Sequence, residues 1–159
     1  MLREARISAL LQHPNTIPTH EIGRDNRGNY YFTMKLVHGY TLREVLNYRE
    51  RYDLTQLMDV IIQIGNALAY AHSVGVLHRD IKPENLLLQS EEDRITITLA
   101  DFGFAASVEE LKSPEAREFR FGTVDYMAPE LLSPGEPDYT TAGDIWAAGV
   151  VAYVLLAGR

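Results

Sequence analysis

The chain has no cysteine among its 159 residues. That excludes disulfides and thiolate metal sites and is compatible with a reducing compartment. Surplus positive charge is also lacking: 15 Lys and Arg stand against 22 Asp and Glu, for a formal net charge of −7. Nucleic acids and anionic membranes both reward clustered cations, so neither is the expected partner. Long apolar runs are missing too. The longest, Ile145 to Ala157, has 13 residues, short of the roughly 20 that span a bilayer, and it reads as a buried core helix. The amino terminus alternates charged and apolar residues, unlike the apolar core of a signal peptide. No internal repeat and no linker interrupts the chain.

What is present is enough apolar residue, 46%, to bury a core. Leu2 to Leu11 has helical periodicity and ends before His13-Pro14. Thr19 to Gly23 and Tyr30 to Val37 are β-like runs flanking the turn cluster Asp25-Asn26-Arg27-Gly28-Asn29, which predicts a hairpin. Thr41-Leu42-Arg43-Glu44 has capping-box spacing and starts a short helix. A longer helix is predicted from about Thr55 to Ser73, with Leu57, Val60, Ile61, Ile64 and Leu68 on one face and Gly75 as its stop. Short strands follow at Val76 to Leu77, Leu86 to Leu88 and Ile95 to Leu99, the last with the alternation of a half-buried strand. Thr140 or Thr141 begins the apolar helix at the end.

The most informative run is His78-Arg79-Asp80-Ile81-Lys82-Pro83-Glu84-Asn85, with Asp101-Phe102-Gly103 beginning sixteen residues after Asn85. Phosphoryl transfer needs a carboxylate to orient the attacking hydroxyl, a cation against the migrating phosphate and oxygen ligands for magnesium. Asp80, Lys82, Asn85 and Asp101 supply these chemistries. For isolated Asp and Asn residues, turn formation and capping are the commoner use.

These motifs resemble those of the protein-kinase family, and the resemblance continues. Gly122-Thr123-Val124-Asp125-Tyr126-Met127-Ala128-Pro129-Glu130 is similar to the end of a kinase activation segment, and Asp144-Ile145-Trp146-Ala147-Ala148-Gly149 to the start of the helix αF beneath it. Upstream, Leu2 to Asn15 resembles the family's helix αC and the loop after it. The implied fold is α+β and protein-kinase-like: mostly the helical C-lobe, with a remnant β-hairpin and helix αC of the N-lobe. Residues 1–37 are read as the N-lobe remnant and 38–159 as the first part of the C-lobe. No G-x-G-x-x-G occurs in the chain. The glycine-rich loop, the lysine of the family's third strand and the helices after αF are therefore expected to lie outside these residues.

The resemblance implies ATP and Mg2+ as cofactors and protein Ser/Thr hydroxyls as acceptors. Asp80 would orient the acceptor, Lys82 offset charge at the γ-phosphate, and Asn85 and Asp101 hold the metal. A lysine at position 82 is more similar to the serine/threonine class than to the tyrosine class. Met34 resembles the gatekeeper, with the backbone of Lys35 and Val37 at the adenine edge and Leu42 and Leu87 sandwiching the ring. These apolar residues read equally well as core. Glu4 resembles the αC glutamate that pairs with the nucleotide-gripping lysine, although a glutamate between Arg3 and Arg6 is also ordinary surface. Ser8 stands where the family usually has a bulky apolar residue. Asp144 resembles the residue that anchors the His78-Arg79 backbone, and His78 and Phe102 resemble members of the hydrophobic spine. His13, His20, His38 and His72 read as packed histidines.

Arg79 marks the kinases in which a segment phosphate commonly pairs with that arginine. Ser113 is the well-placed hydroxyl, while Glu115 and Glu118 offer carboxylates in the usual phosphosite region or simply form a solvated loop. Val124 and Met127 resemble the wall that receives the residue after the acceptor. Glu84 and Asp125 favour Arg or Lys before it, and Glu130 is expected to be solvated. The reading is a serine/threonine kinase segment, negligibly active by itself and cytoplasmic, a membrane span elsewhere in the full-length protein being left open. The alternative is a pseudokinase-like binding module.

Overall fold

The computed structural model describes residues 2–92, 94–113 and 120–158, and side chains from Arg6 onward. Helix α1 (Leu2–Leu10) ends ahead of His13-Pro14. The hairpin follows as β1 (Thr19–Arg24) and β2 (Tyr30–Met34), antiparallel, with Ile22 opposite Phe32. Asp25 builds its turn: the carboxylate accepts from the amides of Arg27 at 2.9 Å and Asn29 at 2.8 Å. Gly28 occupies a φ of +86° there, a conformation glycine adopts without steric cost.

Strand β3 (Tyr40–Thr41) leads into helix α2 (Leu42–Leu46) through the predicted capping box. The Glu44 amide donates to the Thr41 hydroxyl at 3.2 Å and the Thr41 amide to the Glu44 carboxylate at 2.7 Å. Helix α3 (Leu54–Ser73) begins on a second capping box, between Asp53 and Gln56. It buries Leu57, Val60, Ile64 and Leu68, joined by Ala67 and Ala71, and Gly75 follows its end at φ +74°.

Four strands come next: β4 (Val76–Leu77), β5 (Leu86–Glu91), β6 (Arg94–Leu99) and β7 (Ala106–Ser107). Strands β3, β5 and β6 form one antiparallel sheet in that order, and β4 pairs with β7. The alternation in β6 predicts half-burial. Instead Ile95, Ile97, Thr98 and Leu99 are all buried, because α3 packs against the strand and the chain at Thr16 bridges to Leu99. Beyond that bridge, side chains line the outer edge of β6. The Ile97 amide donates to Gln63 Oε1 at 2.9 Å and Gln63 Nε2 donates to the Ile95 carbonyl at 2.9 Å. Asn15 Nδ2 donates to the Ile97 carbonyl at 2.6 Å and to Gln63 Oε1 at 2.9 Å.

Helix α4 (Pro129–Leu132) precedes helix α5 (Thr141–Ala157), for which the Thr140 hydroxyl accepts from the Ala142 amide at 3.3 Å as N-cap. The guanidinium of Arg49 donates to the carbonyls of Leu155 and Leu156 and so closes the last turn of α5. Its inner face, with Val151 and Leu155, is buried, whereas Ile145, Trp146 and Tyr153 are exposed. The core is continuous from Ile7 and Leu11 through α2, α3, β5 and β6 to α5. Among the described residues no helix is long and apolar enough to cross a membrane.

Candidate active site

The loop between β4 and β5 is held by α5. Asp144, in the first turn of α5 and 3% exposed, accepts from the amides of His78 and Arg79, both at 2.8 Å. Its Oδ2 also meets His72 Nε2 at 2.9 Å, at the end of α3. Burial alone would raise the Asp144 pKa, but the bonds from His72 and the two backbone amides outweigh it and hold the carboxyl below its ordinary range. These bonds fix Arg79 at φ +67°, a left-handed conformation that a non-glycine residue holds only under restraint.

His78 is fully buried. Its Nδ1 accepts the Asp80 amide at 3.3 Å and its Nε2 meets the Ala100 carbonyl at 3.1 Å, which assigns the proton to Nε2. Burial pushes its pKa down against the pull of Asp144, Asp80 and Asp101, so the ring is neutral. It packs against Phe102, centroid to centroid 4.7 Å. That contact ties the catalytic loop to the Asp101-Phe102-Gly103 turn.

Asp80 sits at the centre of the site. Its Oδ1 accepts from the Thr123 hydroxyl at 2.8 Å, and its Oδ2 meets Lys82 Nζ at 2.8 Å and Asn85 Nδ2 at 3.1 Å. Lys82 Nζ also donates to Thr123 Oγ1 at 2.9 Å, and Asn85 Nδ2 to the Asp80 carbonyl at 2.8 Å. Burial raises the Asp80 pKa, but Lys82, Thr123 and Asn85 together bring it below the ordinary value. A carboxylate has about four lone-pair positions, and three are occupied here. The side chain is 1% exposed, so the cluster holds it in one orientation.

Asp101 is exposed, at φ +60°, and its carboxylate accepts from the Gly103 amide at 3.2 Å. The Ala100 amide donates to the Asn85 carbonyl at 2.9 Å, so Asp101 directly follows a residue fastened to Asn85. The donor set fits magnesium, a hard cation that takes one or two protein oxygens and fills its other positions from phosphate and water. With its amide group committed to Asp80, Asn85 retains its side-chain oxygen for a metal.

The remaining residues divide. Leu87 on β5 is half-buried and lies opposite Thr41. Leu42, expected beside the ring, is 1% exposed and packs into the core as the first residue of α2. Met34 and Lys35 are exposed at the end of β2 and Val37 is half-buried. The Lys35 amide donates to the Pro18 carbonyl at 3.1 Å. Glu84 is half-exposed and 3.8 Å from Arg43 Nε, Val124 and Asp125 are exposed, and Met127 is half-buried beside Tyr126 and Leu131. Ser113 is exposed at the end of a short turn, Glu110–Lys112. Glu130 is exposed. The Glu4 side chain and all of Glu115 and Glu118 lie outside the described residues. Of the histidines read as packed, His20 and His38 are exposed, since they stand on the hairpin and the segment after it.

Arg79 has aromatic and backbone partners among the described residues. Its Nε donates to the Phe104 carbonyl at 2.6 Å, and its guanidinium carbon lies 4.8 Å from the Phe121 ring centroid and 4.9 Å from that of Tyr139. The sequence reads His72 as a packed histidine without its bond to Asp144, and does not mark Tyr139. His72 lies four residues beyond the buried Leu68 on the same face of α3, a spacing that marks it as inward-facing. Tyr139, just ahead of the α5 N-cap, has no comparable sequence signal.

The whole chain, residues 1–159, matches the family model described as protein kinase domain. Calcium/calmodulin-dependent protein kinase type II of Caenorhabditis briggsae is 42% identical over 156 residues, covering 98% of this chain and 28% of that protein. The Caenorhabditis elegans protein of the same name is 42% identical over 156 residues, covering 98% of this chain and 21% of its own length. A putative ribosomal protein S6 kinase alpha-2 of Caenorhabditis elegans is 34% identical over 167 residues, covering 99% of this chain and 22% of that protein. The chain thus spans 21% to 28% of the length of these relatives. With the Asp80 cluster, the buried Asp144 anchor and a family match over its full length, the chain belongs to the protein kinase family.

Proposed function

We propose that the full-length protein carrying this chain is a serine/threonine protein kinase that transfers the γ-phosphoryl of ATP to protein hydroxyls. The observation that carries the reading is the Asp80 carboxylate, held in one orientation by Lys82, Thr123 and Asn85. Its depressed pKa makes it a poor proton acceptor but a good orienting group, which suits a loose transition state in which the hydroxyl keeps its proton until late. Lys82 supplies a positive charge 2.8 Å from Asp80, where the acceptor and the migrating phosphate would meet. Bound magnesium would neutralise phosphate charge, and the oxygens of Asn85 and Asp101 would hold it. The backbone of Lys35 and Val37 would receive the adenine edge, with Leu87 below the ring.

Acceptor preference follows from the neighbouring side chains. Val124 and Met127 favour an apolar residue after the acceptor. Glu84 and Asp125 favour Arg or Lys before it, modestly, because Arg43 already stands beside Glu84.

The test is Mg2+-dependent transfer from γ-labelled ATP to a Ser- or Thr-containing peptide by the full-length protein. Asp80→Asn should lower kcat by at least about a hundredfold, the scale of positioning effects, and Asp101→Asn should abolish transfer through loss of metal. Residues 1–159 alone, which contain no glycine-rich phosphate loop, should transfer negligibly. A full-length protein that binds partners but transfers no phosphate, or transfers equally after Asp80→Asn, would replace this reading with a binding module.

A further inference from the structure

Resting on the kinase reading, we propose that Tyr139 is a positioning residue. It latches the end of the activation segment to the catalytic loop, with Phe121 and Arg79 as its partners.

The hydroxyl of Tyr139 accepts from the Phe121 amide and donates to the Phe121 carbonyl at 3.1 Å. One side-chain oxygen thereby satisfies both backbone groups of a single residue, as a paired strand would. The Phe121 and Tyr139 rings both lie against the Arg79 guanidinium, at 4.8 and 4.9 Å. The Phe104 ring is 5.7 Å from that of Phe121, and the Phe104 carbonyl accepts from Arg79 Nε at 2.6 Å. Three residues from three separated stretches, Phe104, Phe121 and Tyr139, therefore converge on one cation.

The latch is connected at both ends. Gly122 follows Phe121 at φ +117°, so close to the catalytic loop that a Cβ there would lie 2.6 Å from the Arg79 carbonyl. Thr123 comes next, and its hydroxyl is bonded to Asp80. On the other side, Tyr139 packs on the small cluster of Leu77, Ala106 and Leu111. It immediately precedes Thr140, the N-cap of the helix whose Asp144 holds the amides of His78 and Arg79. A second tie runs parallel: the Arg120 guanidinium donates to the carbonyls of Leu131, Ser133 and Gly135, the last at 2.9 Å. Tyr139 thus joins the two structures that fix Asp80, one from each side of the site, and has no bond to Asp80 itself.

The test uses the full-length protein and two variants. Tyr139→Phe keeps the ring against Arg79 and removes both bonds to Phe121, whereas Tyr139→Leu removes the ring as well. Two hydrogen bonds of ordinary strength amount to about a 30-fold change in the closed-to-open ratio of the segment. Amide exchange at Phe121 and Gly122 should therefore quicken by about 10- to 30-fold in Tyr139→Phe. Peptide KM should rise severalfold and kcat fall about tenfold, with KM for ATP unchanged, and Tyr139→Leu should go further in the same direction. A residue needed only for folding would reduce the active fraction and leave both KM values at wild type. That pattern, or wild-type exchange at Phe121 in Tyr139→Phe, overturns the proposal. If the wild-type protein transfers no phosphate, the kinase reading fails, and the exchange measurement still decides the latch.

Discussion

Replacing Asp144 by asparagine removes one charge and one acceptor while keeping the shape of the side chain. The carboxylate accepts three bonds, from the amides of His78 and Arg79 and from His72 Nε2. An asparagine has a single oxygen, so its NH2 must face one of the two backbone amides. One charge-assisted bond is lost, about 1.5 to 3 kcal/mol, and a buried donor is left facing a donor, about 1 to 3 kcal/mol more. The total of about 2.5 to 6 kcal/mol compares with about 5 to 15 kcal/mol for whole-domain stability. Because Arg79 is held at φ +67° by these bonds, the loss should appear locally first. We expect amides from Val76 to Asp80 to exchange about 10²- to 10⁴-fold faster in Asp144→Asn, at about tenfold per 1.4 kcal/mol. Asp138→Asn, an exposed control, should leave them unchanged. An increase below tenfold, or equal effects of the two substitutions, would refute the anchor.

Two further predictions follow from backbone and charge. Gly122→Ala should strain the segment by at least about 1 to 3 kcal/mol and raise peptide KM, since its Cβ would meet the Arg79 carbonyl. Gly28→Ala has a similar backbone sign but open space around it and should leave transfer alone; matching kinetics for the two would count against a segment seated on the catalytic loop. In acid, His78, Asp80 and Asp144 all have pKa values lowered by folding. The unfolded chain then binds protons first, at His78 from about pH 6.5 and at the carboxylates from about 3.9, so stability falls with falling pH, shallowly and then steeply. An acid titration showing greater stability at pH 4 than at pH 7 would contradict these shifts.

Legibility in the sequence tracked how local the cause was. The Thr41 capping box, the Gly75 stop and the Thr140 start each depend on a few adjacent residues, and the structure has them where the sequence puts them. Periodicity starts α3 at about Thr55, whereas the Asp53–Gln56 capping box starts it one residue earlier, at Leu54. Strand β6 misled for a different reason. Its alternation describes one face, while its burial comes from α3 and the Thr16 segment, far away in the chain. Within the site, the motif residues were readable because their chemistry and spacing are local. Leu42 shows the limit: pattern marks it as apolar but cannot say whether it faces a cleft or the core. Tyr139 was invisible because its partners, Phe121 and Arg79, lie 18 and 60 residues away.

The amide side chains along β6 bear on how the chain behaves among copies of itself. A terminal strand with unused N–H and C=O groups is a template for any extended peptide, and in a crowded solution the commonest extended peptide is another molecule of the same protein. Here Gln63 and Asn15 occupy the ladder positions of Ile95 and Ile97 from the side. These amides come from a helix and a loop and offer no continuing strand. The sheet therefore stops at three strands by chemistry rather than by length, and self-association through this edge is closed off at the cost of two polar side chains.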